Sequence, residues 1–342
     1  MRIALDATYS VDQTPSGVAV YSRELLNGLA QAHAQHKFLH CYRLKQFRNA
    51  PSPRQANVHN RLLLPPLATF SADVFHALNQ RVDRRPAKNV VSTFHDLFVL
   101  TSEYSTHDFR ERFAAQARRA AANSDLIITV SEFTANQVET LLKFPRERIR
   151  VVHHGVRARR RGTAGQRDKL VLFVGALQVR KNVLRLVEAF EAMSSDWQLV
   201  LAGGFGYGSN EILRRVKASK AAHRIDVSGY LNDDDLDSLY AKAAIFAFPS
   251  LDEGFGMPVL EAMARGVPVI ASNTSALPEV AGGAAVLVNP YSTPEISSAL
   301  LQLASDEDLR ERLAAAGLER AKSFTWDAAV EKTYSVYREL VS

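Results

Sequence analysis

Two carboxylates, Glu253 and Glu261, bracket a glycine turn in the stretch 248–270, with Gly254, Phe255, Gly256 and Met257 between them. The turn follows an apolar run, Ala244 to Phe248, and Pro258 falls near the first position of a helix that Gly266 would stop. A chain folded this way aims backbone N–H groups and a helix N-terminus at one point, which suits a phosphate or another oxyanion. A carboxylate accepts hydrogen bonds, so Glu253 in the loop and Glu261, read as lying in the first helical turn, suit the hydroxyls of a sugar or a ribose. The chemistry expected here is the binding of a phosphorylated, hydroxyl-rich ligand.

Other polar residues fall just beyond apolar runs. Arg180, Lys181 and Asn182 follow Leu170–Val174 and lead into a helix read as Asn182–Met193. Two cations at a helix N-terminus oppose the helix dipole, and a bound diphosphate would offset that conflict. Arginine offers a planar fork to phosphate oxygens and lysine a point charge. His95 and Asp96 follow Val90–Phe94. A histidine there can exchange protons or bond a sugar hydroxyl, although a lone histidine is more often structural. Gly17 opens a helix, where its backbone can approach a diphosphate, or where Ser16 is simply the N-cap. Gly229 and Tyr230 end another run and offer backbone and ring to a flat base. Asp233, Asp234 and Asp235 have the spacing of a metal-binding pair. They also open a helix, where acids are favourable, and the helical reading is preferred. With neither a His/Cys ligand set nor a Walker loop in the sequence, no metal is expected.

The elements that must hold these residues alternate between short apolar runs and helical patterns. Strands are expected at Ile3–Leu5, Val74–Ala77, Val90–Phe94, Leu126–Val130 and Ile149–Val152, and again at Leu170–Val174, Trp197–Ala202, Ile225–Val227, Ala244–Phe248, Val267–Ser272 and Ala285–Val288. Helices fall between them, among them Asn210–Ala221 and a last one from about Asp327 to Leu340. This alternation predicts an α/β protein of two doubly wound parallel-sheet domains. The polar, arginine-rich stretch 157–169 reads as the boundary, giving domains at 1–160 and 161–326.

Charge is uneven. Residues 1–150 hold 20 Lys/Arg against 13 Asp/Glu, and residues 151–342 hold 22 against 23. A basic first half can meet nucleic acid, anionic lipid or a phosphate-bearing acceptor. With a single cysteine, Cys41, an internal disulfide is ruled out, and no run of about twenty apolar residues would span a membrane. A cytoplasmic location follows as the expectation, with peripheral contact at the inner membrane face.

In this order the segments resemble the retaining glycosyltransferase family 4, of GT-B architecture. The resemblance runs from Gly17 to the last helix. It rests most on Glu253-Gly-Phe-Gly-Met-Pro-Val-Leu-Glu261, and also on Phe173–Asn182, Thr129–Thr134 and Ser275–Val280. It implies two Rossmann-like domains facing a central cleft, with helix 327–342 returning to the first. Glu253 would contact donor-sugar hydroxyls, the backbone of residues 254–257 would line sugar and phosphates, and Glu261 would bind ribose. Arg180 and Lys181 would neutralise the departing diphosphate, Gly17 would meet it from the first domain, and His95 would lie beside sugar and acceptor. Gly17-Val18 departs from the glycine pair common among relatives, and the first domain is short, so acceptor specificity transfers least. Arg180-Lys181-Asn182 with Thr93-Phe-His-Asp96 resembles the bacterial mannosyl- and hexosyltransferase branches, favouring GDP-mannose or a UDP-hexose.

The function expected is metal-independent transfer of a hexose from a nucleoside-diphosphate sugar, as co-substrate, to a saccharide or lipid-linked acceptor, with no nucleic acid involved. A nucleotide-sugar epimerase or hydrolase, and a non-catalytic nucleotide-sugar or nucleic-acid binder, are the competing readings. Candidate residues on both sides of the boundary imply that the domains close on the donor.

Overall fold

The computed structural model describes residues 1–12, 16–64, 71–157 and 167–341. The chain divides into two units, one of Met1–Gly155 with Phe324–Ser342 and the other of Val156–Ser323.

In chain order the first unit holds β1 (Arg2–Asp6), α1 (Gly17–Ala32), β2 (Lys37–Tyr42), the short α2 (Leu44–Phe47), β3 (Val58–Leu62), β4 (Val74–Ala77) and β5 (Val90–Phe94). It continues with α3 (Phe98–Thr101), α4 (His107–Ala122), β6 (Leu126–Thr129), α5 (Glu132–Leu142) and β7 (Ile149–Val151). Its seven strands form one parallel sheet in the order β3-β2-β1-β4-β5-β6-β7. The central strands β4, β5 and β6 are buried at every position, as a parallel sheet covered on both faces requires. Sequence reading misses β2 and β3. The run Lys37-Phe-Leu-His-Cys-Tyr carries a histidine and a cysteine that are buried all the same, and β3 alternates buried Val58 with His59 and Arg61 on its exposed side. Cys41 is a free, buried thiol.

The second unit holds β8 (Asp168–Val174), α6 (Val183–Phe190), β9 (Gln198–Ala202), α7 (Ser209–Ala218), β10 (Ile225–Gly229), α8 (Asp233–Lys242) and β11 (Ala243–Phe248). After these come α9 (Met257–Ala264), β12 (Val269–Ser272), α10 (Leu277–Ala281), β13 (Val286–Val288), α11 (Thr293–Ser305) and α12 (Glu307–Ala321). All six strands are parallel, ordered β10-β9-β8-β11-β12-β13. The order reverses between β8 and β11, so the carboxyl ends of these two strands flank a topological switch point, the usual ligand position in open α/β sheets.

Helix α6 is shorter than expected. Asn182 has a left-handed φ of 58°, which delays the start to Val183, and the helix ends at Phe190. Helix α7 likewise stops at Ala218 instead of Ala221. Asp233–Asp235 form the first turn of α8, capped by the Asn232 side chain, which accepts from the Asp235 N–H.

The last helix, α13 (Trp326–Val341), belongs to the first unit. Its Ala329, Val330, Val336 and Tyr337 join a core built from Leu25, Leu26 and Leu29 of α1 and Ile3 and Leu5 of β1. Val330 sits over Gly28, where an added Cβ would lie 2.5 Å from its Cγ2. The Tyr337 hydroxyl is 2.6 Å from His76 Nδ1 at the sheet. Gly155 abuts the start of α13 so closely that a Cβ there would lie 2.3 Å from the Trp326 nitrogen.

Candidate active site

Strand β11 is buried along its whole length and delivers the loop 249–256 to the switch point. Two neighbouring loops hold it. Asn182, which follows the β8 loop, donates from Nδ2 to the carbonyls of Pro249 (2.9 Å) and Pro290 (2.7 Å). The Leu251 N–H donates to the Arg180 carbonyl at 2.8 Å. Beyond β12, the Ser272 hydroxyl donates to the Ser250 carbonyl at 2.6 Å and the Ala276 N–H to the Glu253 carbonyl at 3.2 Å. Polar groups buried at the end of a sheet must find partners, and these bonds supply them while fixing the loop.

Glu253 Oε1 lies 2.6 Å from Lys181 Nζ and 3.0 Å from Arg180 Nη1. The Ser250 hydroxyl donates to the same oxygen at 2.6 Å. Arg180 Nη1 also donates to the Asp252 carbonyl, and Lys181 Nζ stands 4.7 Å from the centroid of the Phe248 ring. Arg180, Lys181, Asp252 and Glu253 are all buried. Burial alone would push the Glu253 carboxyl up. The Arg180 and Lys181 charges, with the bonds from Lys181 and Ser250, outweigh it and hold the group at about 2. Glu253 is therefore an anion paired with two buried cations.

This arrangement corrects one expectation. Arg180 and Lys181 occupy a single 3-10 turn ahead of α6 instead of the helix N-terminus itself, and the protein's own Glu253 offsets one of their two positive charges.

Gly256 precedes α9 with φ 105°, and a Cβ on it would lie 2.5 Å from Leu277 Cδ2. Helix α9 begins at Met257, which makes Pro258 its second residue. Glu261 is the fifth residue and so lies just beyond the first turn, one residue further along the helix than expected. Its Oε2 accepts from the Tyr240 hydroxyl at 3.3 Å. Phe255 is buried beside the turn. Gly229 has φ 69° with open space around its Cβ direction, and Tyr230 is exposed. The structure thus joins Glu253, Arg180 and Lys181 in direct contact and runs Gly254–Met257 and Glu261 onward from them along one loop and helix. Ser250 and Tyr240, which touch Glu253 and Glu261, are not legible as site residues in the sequence, because neither stands in a pattern that announces chemistry.

Gly17 and His95 belong to the first unit. Gly17 opens α1, and the Ser16 hydroxyl caps it by accepting from the Ala19 N–H at 3.2 Å. His95 is buried, and its Nε2 is 2.9 Å from the Leu78 carbonyl. A carbonyl only accepts, so Nε2 carries the proton and Nδ1 presents a lone pair. Burial, partly offset by that bond, pushes His95 down to about 4, which keeps the ring neutral near pH 7. Its face stacks 5.4 Å from His154, and Tyr21 meets its ring edge-on at 4.8 Å. Of the arginine-rich boundary stretch, 158–166 lie outside the described residues. Arg167 bonds the carbonyls of Tyr240 and Ala243 near the end of α8, and those of Arg265 and Gly266 just after α9.

Two parallel-sheet units in one chain, one of them with a buried charged cluster at its topological switch point, have the architecture of the GT-B class of glycosyltransferases. Residues 157–320 match the family described as glycosyl transferases group 1, and residues 15–160 match glycosyltransferase family 4. The O-antigen chain mannosyltransferase B of Escherichia coli is 30% identical, the match covering 98% of this chain and 99% of that protein. The MMP alpha-(1->4)-mannosyltransferase of Mycolicibacterium hassiacum is 29% identical over 67% of this chain and 58% of its own length. Among solved structures, sucrose-phosphate synthase from Thermosynechococcus elongatus superposes with a TM-score of 0.81 at 21% identity, covering 99% of both chains. The chain belongs to glycosyltransferase family 4 and has the GT-B fold. It is a glycosyltransferase.

Proposed function

We propose that the protein transfers a hexose, with mannose from GDP-mannose favoured over a UDP-hexose, to a hydroxyl of a saccharide or lipid-linked acceptor, with retention of anomeric configuration and without a metal. The observation that carries this reading is the buried Glu253–Arg180–Lys181 cluster at the switch point, two cations sharing one carboxylate oxygen. The mannosyltransferase names of the relatives favour the donor sugar.

Glu253 acts as the counter-ion while the donor is absent. A diphosphate brings its own charge to Arg180 and Lys181 and takes over that pairing. The carboxylate is then released toward the hydroxyls of the donor sugar. The N–H groups at the start of α9 and the two cations stabilise the diphosphate as it leaves, while positive charge builds at the sugar. The acceptor attacks from the face the diphosphate vacates, and the departing phosphate takes up its proton. Glu261 holds the ribose, Gly229 and Tyr230 meet the base, and Gly17 and His95 serve from the first unit. The neutral His95, with Nδ1 unprotonated, accepts a hydrogen bond from a hydroxyl. The excess of cations in residues 1–150 favours a phosphate-bearing or membrane-held acceptor, reached at an anionic bilayer surface.

Turnover of GDP-mannose and UDP-hexoses is measured for the wild type in excess EDTA, and for Lys181→Ala and Glu253→Ala. The expected outcome is full wild-type activity in EDTA and at least a hundredfold lower turnover in both variants, about the effect of removing one preorganised charge from a transition state. Loss of wild-type activity in EDTA, or near-normal variants, overturns the assignment. Release of free sugar or an isomerised sugar nucleotide at the full rate without acceptor would instead make the protein a hydrolase or an epimerase.

A further inference from the structure

Tyr240 is fully buried in α8, a helix that carries none of the groups assigned above. Its ring is held on two sides. The Arg265 guanidinium lies 4.5 Å from the ring centroid, and Phe246 of β11 is 5.8 Å away, centroid to centroid. Arg265 is fixed in turn. Its Nη2 and Nε reach Asp237 Oδ1 at 2.6 and 3.1 Å, and its Nη1 donates to the Glu261 carbonyl at 2.9 Å. Asp237 lies three residues before Tyr240 on the same helix, so one arginine ties α8 to α9 and lies over the tyrosine ring.

The tyrosine hydroxyl meets Glu261 Oε2 at 3.3 Å. Facing a carboxylate, a phenol must be the donor. Burial, with the Glu261 charge beside it, raises the Tyr240 hydroxyl well above its ordinary value, so the proton stays on the phenol oxygen. A glutamate carboxylate can turn about its last torsion, and one that must accept two neighbouring hydroxyls works only in one orientation. The clamped ring supplies that orientation from within the unit's own core.

We propose that Tyr240 is a positioning residue: it fixes the plane of the Glu261 carboxylate so that it accepts the paired hydroxyls of a ribose, and this makes the site select ribonucleotides over 2′-deoxyribonucleotides. This rests on the reading of Glu261 as the ribose-binding group.

The test is calorimetric titration of wild type, Glu261→Ala and Tyr240→Phe with GDP, UDP and ADP, each against its 2′-deoxy counterpart. The wild type is expected to prefer one ribonucleotide, and Glu261→Ala to lose that preference. Tyr240→Phe should bind the ribonucleotide about five- to tenfold more weakly while its affinity for the deoxy form changes less than twofold. If the wild type shows no preference, or Glu261→Ala keeps it, the ribose reading fails and the proposal with it. If Glu261→Ala loses the preference but Tyr240→Phe keeps it, or weakens both nucleotides in equal ratio, Tyr240 is only structural and the proposal alone is overturned. Folding is followed by thermal unfolding. Should Tyr240→Phe not fold, Arg265→Lys, which keeps the charge beside Asp237 but loses the flat stack on the ring, must reduce the preference, and an unchanged preference overturns the proposal.

Discussion

Glu253 pairs with two cations that are adjacent in the chain, the nearer of them 72 residues away. The conflict at Arg180 and Lys181 is legible in the sequence, because two cations before a helix oppose its dipole. The partner that resolves it is not, because only the parallel pairing of β8 with β11 places the two loops side by side. Ser250 is silent for the same reason; a serine after a strand carries no mark of the carboxylate its hydroxyl will meet. A consequence can be measured. The Glu253 carboxyl is held at about 2, far below a free glutamate, so its stabilising contribution is fully present above about pH 4.5 and is lost as pH falls through 2. Glu253→Gln leaves two buried cations without their anion, and we expect it to lower unfolding stability near neutral pH by about 3 kcal/mol. Denaturant unfolding of both proteins from pH 7 to pH 2 checks this: the difference should shrink below pH 4.5 and be nearly gone at pH 2.

At the scale of elements, runs buried on both faces announce themselves. Strand β11, six consecutive apolar residues, and the central strands β4, β5 and β6 are read from sequence almost to the residue. Edge strand β3 is lost because two of its five residues, His59 and Arg61, face water, and β2 because His40 and Cys41 disguise a buried run. Helix starts are less legible than helices. Asn182 looks like a first residue but takes a left-handed conformation and turns its side chain to two prolyl carbonyls, so α6 begins later. The turn into α9 depends on Gly256, whose φ of 105° is one that side chains rarely adopt and whose missing Cβ makes room for Leu277. Gly256→Ala combines backbone strain with a clash and is expected to cost about 2–4 kcal/mol. It should also weaken nucleoside diphosphate binding, because the N–H groups at the start of α9 move with the turn. Thermal unfolding and calorimetric titration check the two parts; an alanine variant as stable and as tight as wild type would show that the turn tolerates a side chain.

For the molecule as a whole, the plan of two doubly wound parallel sheets is legible from the alternation of strands and helices, since such alternation has few other solutions. The uneven charge is legible too, and it bears on the acceptor more than on the fold. Among the described residues no helix is long and apolar enough to cross a membrane. If the basic residues of the first unit bring the enzyme to a lipid-held acceptor, the protein should float with liposomes rich in anionic phospholipid at low salt and be released as salt is raised. Equal recovery with neutral liposomes, or no flotation at all, would remove the membrane from the proposal.

Helix α13 completes the first unit, yet the ribosome reaches it only after the 168 residues from Val156 to Ser323 have been made. At about 5–20 residues per second, this is an interval of about 10–30 s. Until then the face of α1 around Gly28, which Val330 covers in the finished fold, lacks that partner. The second unit is contiguous in the chain and does not wait for α13. A chaperone that shields α1 until Val330 and Tyr337 arrive would serve this chain better than one that acts after release.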